Sequence, residues 1–296
     1  MRVTNNMQNM QLLKNLNYIN TGMTKGQNQL ATGQKINKPS DDPIGVGYQM
    51  RYDTDLARSD EFMQNAQTGN EILKTMDSTL GQANEVLRRA RTLALQAANG
   101  TYDTEQRKAI AAEIKQLKEQ MVEIGNSQYN GRYLFNGQKT DVAPYSSATA
   151  ADDTTDPGVF SLHVSAAVAV PVSITGEIIF GEAGSGNNVF KVLDDLANAL
   201  ETNQAAGITA SLDKIDAASD KLSISWAEIG ARMNRFDLMQ ERITDSQVNL
   251  KEQRSHIADV DFASAITDLK AKENVLQAAL STGARIMQTT LIDFMR

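Results

Sequence analysis

The stretch from Glu61 to Asn99 reads EFMQNAQTGNEILKTMDSTLGQANEVLRRARTLALQAAN. Phe62, Ala66, Gly69, Leu73, Met76, Leu80, Ala83, Leu87, Ala90, Ala94 and Ala97 recur at alternating steps of four and three, and each is apolar or small. This is the heptad pattern of a helix that packs along a narrow seam. At 1.5 Å per residue such a helix runs for about 54 Å. Asn99-Gly100 ends it, because both residues tolerate the left-handed backbone of a C-terminal cap.

Outward from this helix the same reading repeats. Asp103 with Gln106 three positions on predicts a capping box, and the helix behind it carries Ile110, Ile114, Leu117, Met121 and Ile124. A third seam runs Ile208, Leu212, Ile215, Ser219, Leu222, Trp226, Ile229, Met233, Phe236, Gln240, Ile243, Gln247 and Leu250. The apolar surface on one such seam falls short of the entropy of ordering the helix that bears it. The seams must therefore pack on one another, which predicts an elongated helical bundle.

The five prolines fall in two places: Pro39 and Pro43, then Pro144, Pro157 and Pro171. Proline breaks helices, so the chain divides into long helical stretches around a non-helical middle. Between Asp141 and Gly186 the period becomes two. Phe160, Leu162, Val164 and Ala166 alternate, as do Val168, Val170, Val172 and Ile174, and Ile178 to Phe180 is a short apolar run. A small β-rich insertion is expected here, with Ser146 to Asp156 as a polar loop at its edge.

The two ends carry narrower stripes. Val3, Met7, Met10, Leu13, Leu16, Ile19, Met23 and Leu30 recur at the start; Ile266, Leu269, Leu276, Leu280, Gly283, Met287 and Phe294 recur at the end. Polar neighbours interrupt both, so each helix is marginal alone. Such segments are expected to be loose in the monomer and to order in an assembly.

Composition excludes several classes. The net charge of −7 argues against a nucleic-acid binder. With no cysteine, disulfides, thiolate zinc sites and cysteine nucleophiles are excluded. Aromatics are only 5% of the 296 residues, too few for a round enzyme core, whereas alanine and methionine suit helical seams. No run of about 18 apolar residues predicts a membrane span. The first thirty residues lack the basic head and apolar core of a signal peptide, so an extracellular location requires another export route. His163 and His256 are the only histidines, and no His-Glu-x-x-His, Gly-x-Ser-x-Gly, Walker or dinucleotide motif occurs. No catalytic residue, metal or cofactor is therefore expected. Asp41 and Asp42, adjacent in the Pro39-Ser-Asp-Asp-Pro43 turn, read as caps of a hinge rather than as paired catalytic acids.

Three motifs then carry a resemblance. Leu30-Ala-Thr-Gly-Gln-Lys-Ile-Asn-Lys-Pro-Ser-Asp-Asp-Pro-Ile-Gly, Leu87-Arg-Arg-Ala-Arg-Thr-Leu-Ala-Leu-Gln-Ala-Ala-Asn99 and Ile257-Ala-Asp-Val-Asp-Phe-Ala-Ser-Ala-Ile266 resemble signatures of the bacterial flagellin family, in that family's order, and Leu276-Gln-Ala-Ala continues the last. Tyr129-Asn-Gly-Arg-Tyr-Leu-Phe-Asn-Gly137 and the ending Leu291-Ile-Asp-Phe-Met295 resemble its hook-associated branch, type 3. The resemblance implies a mainly α, flagellin-like bundle with terminal coiled-coil helices and a small β-rich central insertion. Its parts would be a terminal helix at 1–44, inner helical segments at 45–140 and 188–254, the insertion at 141–187 and a second terminal helix at 255–296.

The implied role is a hook–filament junction adaptor. Its partners would be the hook-side junction protein, flagellin and further copies of itself in a ring. An export chaperone and the flagellar type III secretion apparatus would carry it out of the cell. The assembly interface would comprise Met7, Met10, Leu13, Leu16, Met23 and Leu30 with Ile266, Leu269, Leu276, Leu280, Met287 and Phe294. The hinge would comprise Pro39, Asp41, Asp42 and Pro43. Matching residues in flagellins are seen by an innate immune receptor, which singles out Arg89, Leu93 and Glu119. Two alternatives stand beside this: a short filament flagellin, and a secreted adhesin-type module that binds through the insertion.

Overall fold

The computed structural model describes residues 2–99 and 102–294, with side chains described for 7, 9–99 and 102–285. Its elements in order are α1 (Arg2–Thr32), α2 (Pro43–Ala98), α3 (Thr104–Gly125), β1 (Gln128–Tyr129), β2 (Arg132–Tyr133), β3 (Ser161–His163), β4 (Ala169–Pro171), α4 (Gly176–Phe180), α5 (Val189–Glu201), α6 (Ala205–Ala258) and α7 (Phe262–Phe294). Among the described residues the fold is mainly helical, with only two small antiparallel ladders. The chain forms two compact units: Ser59–Asp245, and Met1–Arg58 with Ser246–Arg296.

In the unit Ser59–Asp245 the seams are buried as their spacing requires. Leu73, Leu80, Ala83, Ala90, Ala94 and Ala97 on α2, Ile114 and Met121 on α3, and Ile208, Ile215, Leu222, Ile229 and Phe236 on α6 belong to one hydrophobic core. Polar pairs fix how α6 lies on α2. Arg91 donates to Asp216 at 2.6 Å, Trp226 Nε1 to Asp77 at 2.5 Å and Asn70 Nδ2 to Asp237 at 2.7 Å. As position rises on one helix it falls on the other, so the pair is antiparallel. Gly69 makes room for Phe236: a Cβ there would lie 2.5 Å from the ring. The predicted capping box forms, with Gln106 N–H donating to Asp103 Oδ1 at 2.8 Å and Asp103 N–H to Gln106 Oε1 at 3.2 Å.

The middle of the chain differs from its strand reading in extent. The alternation from Phe160 to Ile174 yields only β3 and β4, paired with Leu162 opposite Val170. Ile178 to Phe180 lies in the short helix α4 instead of a strand. A run this brief satisfies either period, and Gly181, at φ +103°, ends it after one turn. A cluster of Phe135, Tyr145, Phe180 and Phe190 organises the region, its ring centroids 4.7 to 5.8 Å apart in tilted and edge-on pairs. Asn130-Gly131 closes the β1–β2 hairpin with both residues at positive φ, 50° and 76°.

Helix α5 has no place in the seam reading. Asn188 caps it through Phe190 N–H at 3.0 Å, and its apolar face, including Leu193, Leu196 and Leu200, lies against α3. Arg107 is buried beside the turn after α5 and donates to Asn203, with its Nε unpaired. Among the described residues, no helix is long and apolar enough to cross a membrane.

Candidate assembly site

The site lies in the unit that joins the two ends of the chain. α1 and α7 pack on each other, and small residues set their register. Leu12 faces Gly283, Lys272 faces Gly22, Leu269 faces Gly26 and Phe262 faces Gly33, so the helices run antiparallel. A Cβ on Gly283 would stand 2.7 Å from Leu12. Glycine there allows the close approach, at some cost in helix propensity.

Two of the family-like motifs meet at the base of this pair. Lys35 N–H donates to Ala258 carbonyl at 2.7 Å, and Val260 N–H donates to Gly33 carbonyl at 3.0 Å. Gly33, at φ +71°, turns the chain out of α1. Ile36 and Ala258 are buried in the crossing.

The paired acids of the turn ahead of α2 divide their work. Asp42 caps α2, accepting from Ile44 N–H at 3.1 Å and Gly45 N–H at 2.9 Å, and Pro43 occupies the first helical position, where its missing donor costs nothing. Asp41 instead ties the loop to α1 through Lys25 at 3.0 Å, and its other oxygen accepts from Asn37 and Lys38 N–H at 3.2 and 3.0 Å. The Lys25 contact, with these backbone donors, holds the Asp41 carboxyl below its usual range despite partial desolvation. Asp261 does for α7 what Asp42 does for α2, accepting from Ala263 N–H at 3.0 Å.

Along the pair, the apolar stripes are only half used. Met7, Met10 and Leu13 are 64, 63 and 61% exposed, and Ile266, Val275 and Leu280 are 50 to 53% exposed. Leu16, Met23, Leu30, Leu269 and Leu276 are half-buried. Leu13, Leu16, Leu280 and Ala284 border a hollow of about 450 Å³. Met287 and Phe294 lie outside the described side chains. Single exposed apolar residues are ordinary, but lines of them on two adjoining helices are the kind of surface that makes a candidate contact site.

The residues singled out for receptor recognition are spread differently. Arg89 is paired with Glu113, Nε to Oε1 at 2.7 Å. Leu93 is in the core at 2% exposure, and Glu119 is exposed. Lys25, Asp261, Ala258 and Val275 were not among the expected site residues, although Ala258 and Asp261 lie within the third motif. Of these, Asp261 carried a readable signal, an acid immediately ahead of an apolar helical run.

Comparison with known proteins agrees with this geometry. Residues 3–140 match the bacterial flagellin N-terminal helical region, and residues 212–295 match the bacterial flagellin C-terminal helical region. Flagellar hook-associated protein 3 of Salmonella typhimurium is 26% identical over 277 residues, covering 86% of this chain and 87% of that one. A flagellin of Listeria innocua is 27% identical over 290 residues, covering 98% and 96%. The crystal structure of Xanthomonas campestris FlgL shares the fold, with a TM-score of 0.60 at 21% identity over 69% of this chain and 99% of that one. The two matched regions together take in the paired terminal helices, the Pro39–Pro43 turn, the first two seams and most of the third, and the chain belongs to the bacterial flagellin family.

Proposed function

We propose that this chain is a structural subunit of the bacterial flagellum that works at the junction between hook and filament. The observation that carries the reading is the pair of half-exposed stripes on α1 and α7. Burying them against neighbouring copies would stabilise an array at about 25 cal/mol per Å² of apolar surface covered, and identical subunits in such an array offer different faces above and below. One face would meet a hook-side junction protein and the other would meet flagellin. The similarity to Salmonella hook-associated protein 3 supports the junction over other places in the flagellum. The subunit would work outside the cell, after passage through the flagellar export apparatus with a dedicated chaperone. No catalytic step belongs to this reading.

A second reading, as a filament flagellin, is favoured by the match to Listeria flagellin over nearly the whole chain. Deleting the gene in the source bacterium separates the two. Hooks without filaments, with flagellin shed into the medium, are expected for a junction subunit. Absence of both filaments and shed flagellin would identify the filament subunit instead, and normal filaments would overturn both.

A further inference from the structure

The stripe on α1 is built partly of methionine, which brings a chemistry that leucine lacks. Met7 and Met10 stand about one turn apart at 64 and 63% exposure, and Leu13 continues the line. Met76 and Met121 are sealed in the core at 1 and 0%. Met50, at 65%, is equally open but lies on α2. The chain contains no cysteine, so the thioethers of its 12 methionines are its only sulfur targets for an oxidant.

We propose that Met7 and Met10 form an oxidation site whose state decides whether the free subunit can enter an assembly. This rests on the junction reading above. The reagent class is peroxide. A sulfur lone pair attacks one peroxide oxygen, the O–O bond breaks, an S–O bond forms and water leaves. Sulfur loses two electrons and the peroxide gains them. The flexible apolar thioether becomes a polar, chiral sulfoxide. A seat shaped for apolar side chains offers its oxygen no donor, so covering it leaves a strong acceptor unpaired. On typical costs for such a group, each sulfoxide lowers affinity on the order of tenfold to a hundredfold. Once assembled, the stripe is covered, so the site registers oxidation that precedes assembly. Sulfoxide reductases reverse it, with a dithiol oxidised to a disulfide and the oxygen lost as water. An oxidised subunit is thus held back rather than discarded.

The test uses the full chain, hydrogen peroxide, and hook particles purified from cells lacking the gene. Peptide mass spectrometry maps the oxidation, and co-sedimentation gives the half-saturating concentration. Met7 and Met10 are expected to oxidise well before Met76 and Met121, with half-saturation rising about tenfold or more. The Met7→Leu/Met10→Leu variant keeps an apolar stripe, and its own half-saturating concentration, at whatever value the untreated variant shows, is expected not to rise after peroxide. Unchanged binding of the oxidised chain would overturn the proposal alone, as would equal loss of binding in the treated double variant. If the untreated chain does not bind the particles, the junction reading falls and takes the proposal with it.

Discussion

Replacing Gly69 by alanine sets two effects against each other, and the structure decides between them. In an open helix the change would stabilise by about 1 kcal/mol, because alanine loses less backbone entropy. Here the new Cβ would lie 2.5 and 2.6 Å from two carbons of the Phe236 ring, against an ordinary contact of 3.4–4 Å. The ring is fully buried, so it can move aside only by displacing its own close-packed neighbours. Overpacking of this kind costs ~1–3 kcal/mol, and an overlap near 1 Å against a rigid ring belongs at the upper end. The expected net loss is ~2 kcal/mol, read as a lower urea midpoint with unchanged slope. Phe236→Leu should relieve it, so the double variant should be more stable than the sum of the singles by ~1–2 kcal/mol. A Gly69→Ala chain with a raised midpoint would refute the packing of α2 on α6 described above.

Other consequences are equally open to measurement. Tyr145 has a buried hydroxyl with no partner, and burial raises its pKa well above the usual phenol range. A raised phenol pKa contributes stability that is present below about pH 10 and lost as the unfolded chain ionises above it, at up to ~1.4 kcal/mol per pH unit. Tyr145→Phe should therefore be neutral or stabilising by ~1 kcal/mol at pH 7, and its melting temperature should fall less steeply above pH 10. For Asp41 the sign reverses. Its lowered pKa stabilises the hinge above the unfolded value near 4, and this is lost as pH falls through the folded value. The urea midpoint of Asp41→Asn should accordingly fall less than the parent's between about pH 5 and pH 2. Asp42→Ala and Asp261→Ala each remove a helix cap and should cost ~1 kcal/mol in chemical denaturation. Leu13→Gln with Leu280→Gln should change monomer stability by no more than ~0.5 kcal/mol per site, yet abolish binding to hook particles.

The parts of this fold that repeat along one dimension were legible in the sequence. Residues from Phe62 to Ala97 keep to one face by spacing alone, and a helix that buries one face needs no further information to be recognised. The capping box at Asp103 was legible for the same reason, since donor and acceptor are three residues apart. Pairings across the chain were not. Nothing near Asp41 names Lys25 as its partner, and nothing near Gly33 announces Ala258 and Val260. The Gly33 and Lys35 contacts exist because α1 and α7 close the chain's two ends on each other, and the Asp41 contact exists because the turn folds back on α1. Within the helical segment expected at 188–254, the seams did not delimit helix α5, because its apolar face spans only 13 residues and lacks the sustained heptad that marks its neighbours. Leu93 shows the limit of motif transfer: the motif fixed its position on α2 but not that its side chain points into the core.

The central claim is that this subunit works at one place in the flagellum, with its terminal stripes covered by neighbours there. The most direct measurement labels the chain with gold-conjugated antibody on intact flagella, with its copies per flagellum counted by mass spectrometry in the same preparation. Label is expected only at the point where hook meets filament, with a copy number of one or a few rings. Label along the whole filament, with the chain as the bulk of the preparation, would contradict the claim.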